Sequence, residues 1–301
     1  MTQVHWLIRR AGKARMHWSN VAMSLPSFCR AKSILVRALA ATLLLAIPAA
    51  ASPTSQDVTA PVVVRSGAQI SISSKVDPAL VQAVQRELSA PDGGSIDTLV
   101  IESTSGDVDS MIQLGRIVHA RKMTVRVKSL CAALCAALLA PAAERLVVPK
   151  GSFLIFTPLI SSATPDHWKR TGAQPQDGTA PSAATLTAVA KVIRHVVERQ
   201  NAYFKELNVD PDRVYAATDT ISVMKAALAA AGKSDKPLMM PDAAYLHKCL
   251  GIASVDMPDF TVSDSKMLAH IGKTPIAFLI DGELYYEGVK VATFQPPCLT
   301  D

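Results

Sequence analysis

The first 51 residues of this 301-residue chain contain no Asp and no Glu. Elsewhere the absences are of motifs. There is no Gly-x-Gly-x-x-Gly and no Gly-Lys-Ser loop, which removes the two commonest phosphate-cradling turns. No set of His, Cys, Asp and Glu has metal-site spacing, so neither a metal nor a cofactor is expected. No internal repeat and no heptad run is present. No unbroken apolar stretch reaches the ~20 residues of a bilayer-spanning helix.

What the opening segment does hold is basic: Arg9, Arg10, Lys13, Arg15, Arg30, Lys32 and Arg37. An apolar run follows from Ala38 to Ala50, broken by Thr42 and Pro48, and exits through Ala49-Ala50-Ala51. A basic flank, a short apolar core and a small-residue exit describe a secretory signal peptide over residues 1–51, with an uncleaved anchor as the alternative. Met16 and Met23 are alternative starts to Met1. The leader holds seven of the 31 Lys and Arg and none of the 25 Asp and Glu. The remainder therefore carries 24 positive against 25 negative side chains. The net charge of +6 belongs to the leader. No basic field is left to recruit nucleic acid, and a membrane is met only through the leader. Export to a periplasm is the expected location.

Four cysteines remain after the leader: Cys131, Cys135, Cys249 and Cys298. An even number in an exported chain permits disulfides. Cys131 and Cys135, four apart on one helix face, would stand about 6 Å apart. Cys249 with Cys298 is the other local pairing. The competing reading is four small buried apolar residues.

The chain divides into a flexible tail at 52–60, an α/β core at 61–160, a polar loop at 161–184, a helical part at 185–251 and a β-rich extension at 252–301. Gln69–Ser73 alternates as a strand, and Asp77-Pro78 then caps a helix with Leu80, Val81, Val84 and Leu88 on one stripe. Thr98–Ile101 is a strand, Val108–Ala120 a helix and Met123–Val127 a strand. Cys131–Ala143 has no polar face and reads as a buried helix. Leu146–Val148 and Phe153–Phe156 are further strands. Leu186–Leu207, Ile221–Ala231 and Ala243–Leu250 read as helices, the last stopped by Gly251. Ala277–Ile280, Asp281-Gly282 and Glu283–Tyr286 make a hairpin. Strands alternating with helices imply a parallel sheet.

Three segments carry a resemblance. A strand enters the turn Ser103-Thr104-Ser105-Gly106, a later strand leads to Cys131-Ala132-Ala133-Leu134-Cys135, and another ends in Leu154-Ile155-Phe156-Thr157-Pro158. This order is similar to the ClpP/crotonase superfamily, above all to exported Clp protease proteolytic subunit-like proteins. The similarity covers Thr98–Leu159 well and the stretch to Gly251 loosely. The resemblance implies repeated β-β-α units with a parallel sheet, a helical segment and a small C-terminal β element.

In that family the first turn reads Ser-Pro-Gly-Gly, of which only Gly106 matches. The nucleophile sits in Cys-x-Ser-Ala-Cys, where this chain has Ala133. The base is a histidine in Gly-Phe-His-Ser-Pro, where this chain has Phe156. A methyl group cannot attack a carbonyl and a phenyl ring cannot take a proton. The resemblance therefore implies a catalytically degenerate domain. Backbone amides at Gly106, Asp107 and Leu134 would still offer an oxyanion or carboxylate site. Expected partners are a peptide, another protein or a second copy. The alternative is an active peptidase or thioesterase with a relocated nucleophile, Cys131 or Ser129. Thr157, His119, His167 and His195 are weaker candidates, read as caps or solvated side chains, and Asp166 is a triad acid with no base to orient.

Overall fold

Gly67, at φ +58°, turns the chain between β1 (Val63–Ser66) and β2 (Gln69–Ser73), the antiparallel hairpin at the sheet's edge. This computed structural model describes residues 63–157, 159, 183–215, 229–230, 232, 238–268, 270–271 and 274–293. All of them fall in one unit, Ala60–Asp301. The leader, the tail, Cys298, Asp166 and His167 lie outside the described residues, as does most of the expected helix Ile221–Ala231.

After β2 the chain alternates in the way its hydrophobic pattern dictates. Asp77 accepts the Leu80 amide at 2.9 Å and Pro78 opens α1 (Pro78–Ser89), which buries Leu80, Val81, Val84 and Leu88. β3 (Thr98–Ser103) buries Leu99, Ile101 and Ser103 and leaves the alternate residues half-buried. Asp107 then caps α2 (Val108–Ala120), its carboxylate accepting the Ser110 amide at 2.9 Å. The next strands are β4 (Thr124–Ala132), β5 (Arg145–Val147) and β6 (Phe153–Ile155).

These strands form a seven-stranded sheet in the order β1-β2-β3-β4-β5-β8, with β6 added on β4. Here β8 is Ser254–Asp256, and every pairing except β1 with β2 is parallel. The mixed α/β class with a mostly parallel sheet is as the sequence implies. β4 is longer than expected and divides its partners. Thr124–Arg126 pair with β5, whereas Leu130–Ala132 pair with β6. Between the halves the register against β3 slips, with Ile101 opposite Val127 but Ser103 opposite Cys131. The extra residues form a bulge, which bends a strand and re-aims its end.

The buried helix expected over Cys131–Ala143 is therefore a correction. Cys131 and Ala132 are the end of β4. Only a π-helical turn, Cys135–Leu139, and a 3₁₀ turn, Ala140–Ala142, follow. The expectation of burial holds, because Cys135 to Ala143 are all buried. Alanine's helix propensity is overridden here by strand pairing with β3 and β6.

α3 (Ala183–Glu206) begins inside the expected polar loop, taking in Ala183 and Ala184. It crosses α2 where Gly115 leaves room. A Cβ on Gly115 would lie 1.8 Å from the Tyr203 hydroxyl, which donates to the Leu138 carbonyl at 2.7 Å. Arg116 and Glu206 join the same helices at 2.7 and 2.8 Å.

A second, five-stranded sheet runs β12-β11-β10-β7, with β9 on β10. Its strands are β7 (Leu238–Met240), β9 (His270–Ile271), β10 (Thr274–Ile280), β11 (Glu283–Tyr286) and β12 (Val289–Thr293). Asp281 and Gly282 both have positive φ, as the Asp-Gly hairpin requires. Glu287 and Gly288 repeat the device for β12. α4 (Ala243–Leu250) ends on left-handed Gly251, and α5 (Val262–Met267) is held by a Thr261–Asp264 capping box. Strand pairing crosses the division expected at residue 251: β7 joins the second sheet, and β8 returns to the first. Buried side chains of both sheets belong to one continuous core.

Candidate functional site

The carboxyl ends of β3, β4 and β6 lie side by side, because β3 pairs with β4 and β4 with β6. The last pairs are Ser103 with Cys131 and Ala132 with Ile155. One step further along, the Ala133 amide donates to the Ile155 carbonyl at 3.0 Å. Ala133 and Phe156 are therefore brought together. Gly106 leaves β3 on the other side of β4 and leans toward β2. It forms a parallel bridge with Val76, in which Val76 donates to the Ser105 carbonyl at 3.2 Å and Asp107 donates to the Val76 carbonyl at 2.8 Å. The Gly106 amide takes no part in that bridge. A Cβ here would stand 3.0 Å from the Val76 carbonyl oxygen, so glycine permits the close approach.

The chemistry at this edge is hydrocarbon. Phe156 is fully buried, and Ala132, Ala133 and Leu134 are half-buried. Ala133 adopts φ +57°, a left-handed conformation uncommon for a residue with a Cβ. Asp107 is committed as the cap of α2, also accepting the Ser110 hydroxyl at 3.0 Å. His119 and His195 are exposed on helices, the latter 3.3 Å from Glu198. Thr157 is half-buried just past Phe156.

The edge of β6 beside Phe156 is already used. Phe156 donates to the Met239 carbonyl at 2.8 Å, Met239 donates back at 3.3 Å, and the Leu154 amide points at the Met240 sulfur at 3.3 Å. Phe156 is thus a backbone splice between the two sheets. The short strand Leu238–Met240, set between prolines, gave no sign of this in the sequence.

The cysteines resolve in favour of bonding. Cys131 and Cys135 form a disulfide with Cα atoms 5.4 Å apart. The pair spans a strand-to-helix turn rather than one helix face, which corrects the sequence-based geometry. Cys249 is also disulfide-bonded. Its expected partner, Cys298, lies outside the described residues.

A polar cluster went unforeseen. At the β4 bulge the Ser129 hydroxyl donates to Glu102, and the Lys128 ammonium lies 3.5 Å from the same carboxylate and 3.4 Å from the Ser73 hydroxyl. The Lys128 carbonyl accepts the buried Ser152 hydroxyl at 3.0 Å. The Lys128-Ser129 pair, two consecutive polar residues that break the alternation of Thr124-Val125-Arg126-Val127, is the sequence signal for this bulge.

No family model and no curated protein matches the chain. Among the described residues, no group of three or more His, Cys, Asp or Glu is arranged to hold a metal ion. No helix among them is long and apolar enough to cross a membrane.

Proposed function

We propose that this chain is an exported, catalytically inactive Clp-like protein that acts by binding or assembly in the cell envelope. The observation that carries the proposal is that Ala133 and buried Phe156 each follow directly on the last residue pair of β4 and β6, Ala132 with Ile155. Where that resemblance expects a hydroxyl and an imidazole, the chain has a methyl and a phenyl group, and neither attacks a carbonyl nor moves a proton. The succession β2-α1-β3-α2-β4, and the division of β4 between β5 and β6, support repeated β-β-α units of the ClpP/crotonase kind. The basic, acid-free leader and the disulfides support a periplasmic location, free or tethered to the inner membrane.

Labelling by a serine-reactive fluorophosphonate tests the loss of chemistry. The wild-type protein should stay unlabelled at concentrations that saturate an ordinary serine hydrolase. Strong labelling would contradict the proposal. Light scattering of the protein tests assembly, with a concentration-dependent oligomer expected from the reading that a second copy is the partner.

The second reading, a relocated nucleophile, is supported by one observation. Ser129 donates its hydroxyl to a carboxylate, Glu102, and a serine so placed has an acceptor for its proton. Cys131 loses its candidacy, since a disulfide sulfur is not a thiolate. Esterase or peptidase activity that disappears in Ser129→Ala would favour this reading over the first.

A further inference from the structure

The turn Ala132-Ala133-Leu134 joins an extended strand to a π-helical turn and carries left-handed Ala133 at its centre. For an L-residue that conformation is disfavoured on the order of tenfold against the right-handed one. It persists when the surroundings over-determine it. Two kinds of contact do so here. The Ala133 amide donates to the Ile155 carbonyl at 3.0 Å, and the Ala133 carbonyl accepts the Ala137 amide at 2.9 Å. The second contact is covalent. Cys131, two residues before, and Cys135, two residues after, are bonded with their Cα atoms 5.4 Å apart.

An extended chain would separate residues four apart by roughly 13 Å. Ala132 is still in β4 and Leu134 is already right-handed at φ −59°, ψ −32°. The reversal that brings the cysteines together therefore falls on Ala133. Both cysteines are buried while the turn between them is half-buried. The bond is anchored in the core and the strained residue is half-buried.

We infer that the Cys131–Cys135 disulfide is a conformational clamp that holds Ala133 left-handed and so fixes the shape of the turn at the edge of β4 and β6. The clamp acts on the backbone and opposes a penalty that any residue with a Cβ carries at position 133. Its failure would leave the loss of catalytic groups untouched.

Hydrogen exchange of the Ala133 amide in the intact chain tests this through a four-protein cycle: wild type, Cys131→Ala/Cys135→Ala, Ala133→Gly and the triple variant. Opening the clamp should speed exchange of this amide by about tenfold, the bias it opposes. Glycine adopts the left-handed conformation without a Cβ penalty, so Ala133→Gly should recover protection in the Cys131→Ala/Cys135→Ala background. It should change little in the oxidised chain. Unchanged exchange on removing the cysteines, or a loss that glycine does not recover, would overturn the inference. If the Cys131→Ala/Cys135→Ala protein does not fold, thermal melts with and without a phosphine reductant make the same comparison. Reduction should lower the melting temperature of wild type more than that of Ala133→Gly, the Cys249 bond being opened in both. Equal shifts would overturn it.

Discussion

Gly115 and Gly106 are both glycines at which a methyl group would collide, yet the two collisions differ in kind. At Gly115 the obstacle is the end of a side chain, the Tyr203 hydroxyl, at 1.8 Å. Tyr203 is fully buried and its hydroxyl satisfies the Leu138 carbonyl, so turning the ring away would strand both groups. At Gly106 the nearest atom is the Val76 carbonyl oxygen at 3.0 Å, a contact that a small backbone shift relieves. Gly115→Ala is therefore expected to cost about 1–3 kcal/mol by overpacking, plus about 1 kcal/mol for the lost hydrogen bond. Gly106→Ala should cost less than Gly115→Ala. Urea denaturation of the two variants checks the order, and the reverse order would show that the α2–α3 crossing is looser than its geometry. The stripe containing Gly115 was legible in the sequence. The tyrosine that fills its notch, 88 residues away, was not, because nothing local marks which aromatic will cross a given helix.

Elements differed in how much of themselves they showed. α1, α2 and α4 carried their own start and stop residues: Asp77 and Asp107 cap through their carboxylates, and Gly251 through its left-handed backbone. The β10–β11 hairpin was equally plain from Asp281-Gly282. By contrast, β7 and β8 are three residues each and owe their existence to the sheets they join, so a periodicity of two never accumulates. The end of β4 was misread for the opposite reason: its alanines favour a helix strongly, and pairing on both sides overrode them. One cap has a consequence for pH. Asp242 caps α4, accepting the Tyr245 amide at 2.7 Å and the Asp281 amide at 3.1 Å. Burial is the largest influence on it and raises its pKa above the ordinary 3.8, outweighing those two hydrogen bonds. A raised folded-state value means that the fold prefers the protonated form. The contribution is complete below the ordinary value and is lost as pH rises through the folded one. Asparagine also caps well but does not titrate. The stability of wild type relative to Asp242→Asn should therefore improve on acidification into the carboxylate range. Thermal melts across that range check it, and an advantage that instead grows toward neutral pH would reverse the sign.

At the scale of the whole molecule, Phe156 is the place where two sheets meet. The Met239 amide and carbonyl both face Phe156, whereas its neighbours Leu238 and Met240 point theirs toward β10, since backbone groups alternate sides along a strand. Met239→Pro would thus remove one hydrogen bond of the splice and leave the β7–β10 ladder its own donors. The Phe156 side chain supplies the apolar half of the same joint, and Phe156→Ala should cost about 3–5 kcal/mol, as a buried phenyl group lost from a close-packed core does. Because the buried side chains of both sheets form one core, wild type is expected to unfold in a single transition, with amides of β2–β4 and β10–β12 exchanging at similar limiting stability. Met239→Pro should split that behaviour, letting β10–β12 exchange first while β2–β4 keep their protection. Equal acceleration in both sheets would mean that side-chain packing alone couples them and that the splice at Phe156 adds nothing. A split would show the reverse. The backbone hydrogen bonds that Phe156 and Met239 exchange would then be what makes the two sheets fold as one.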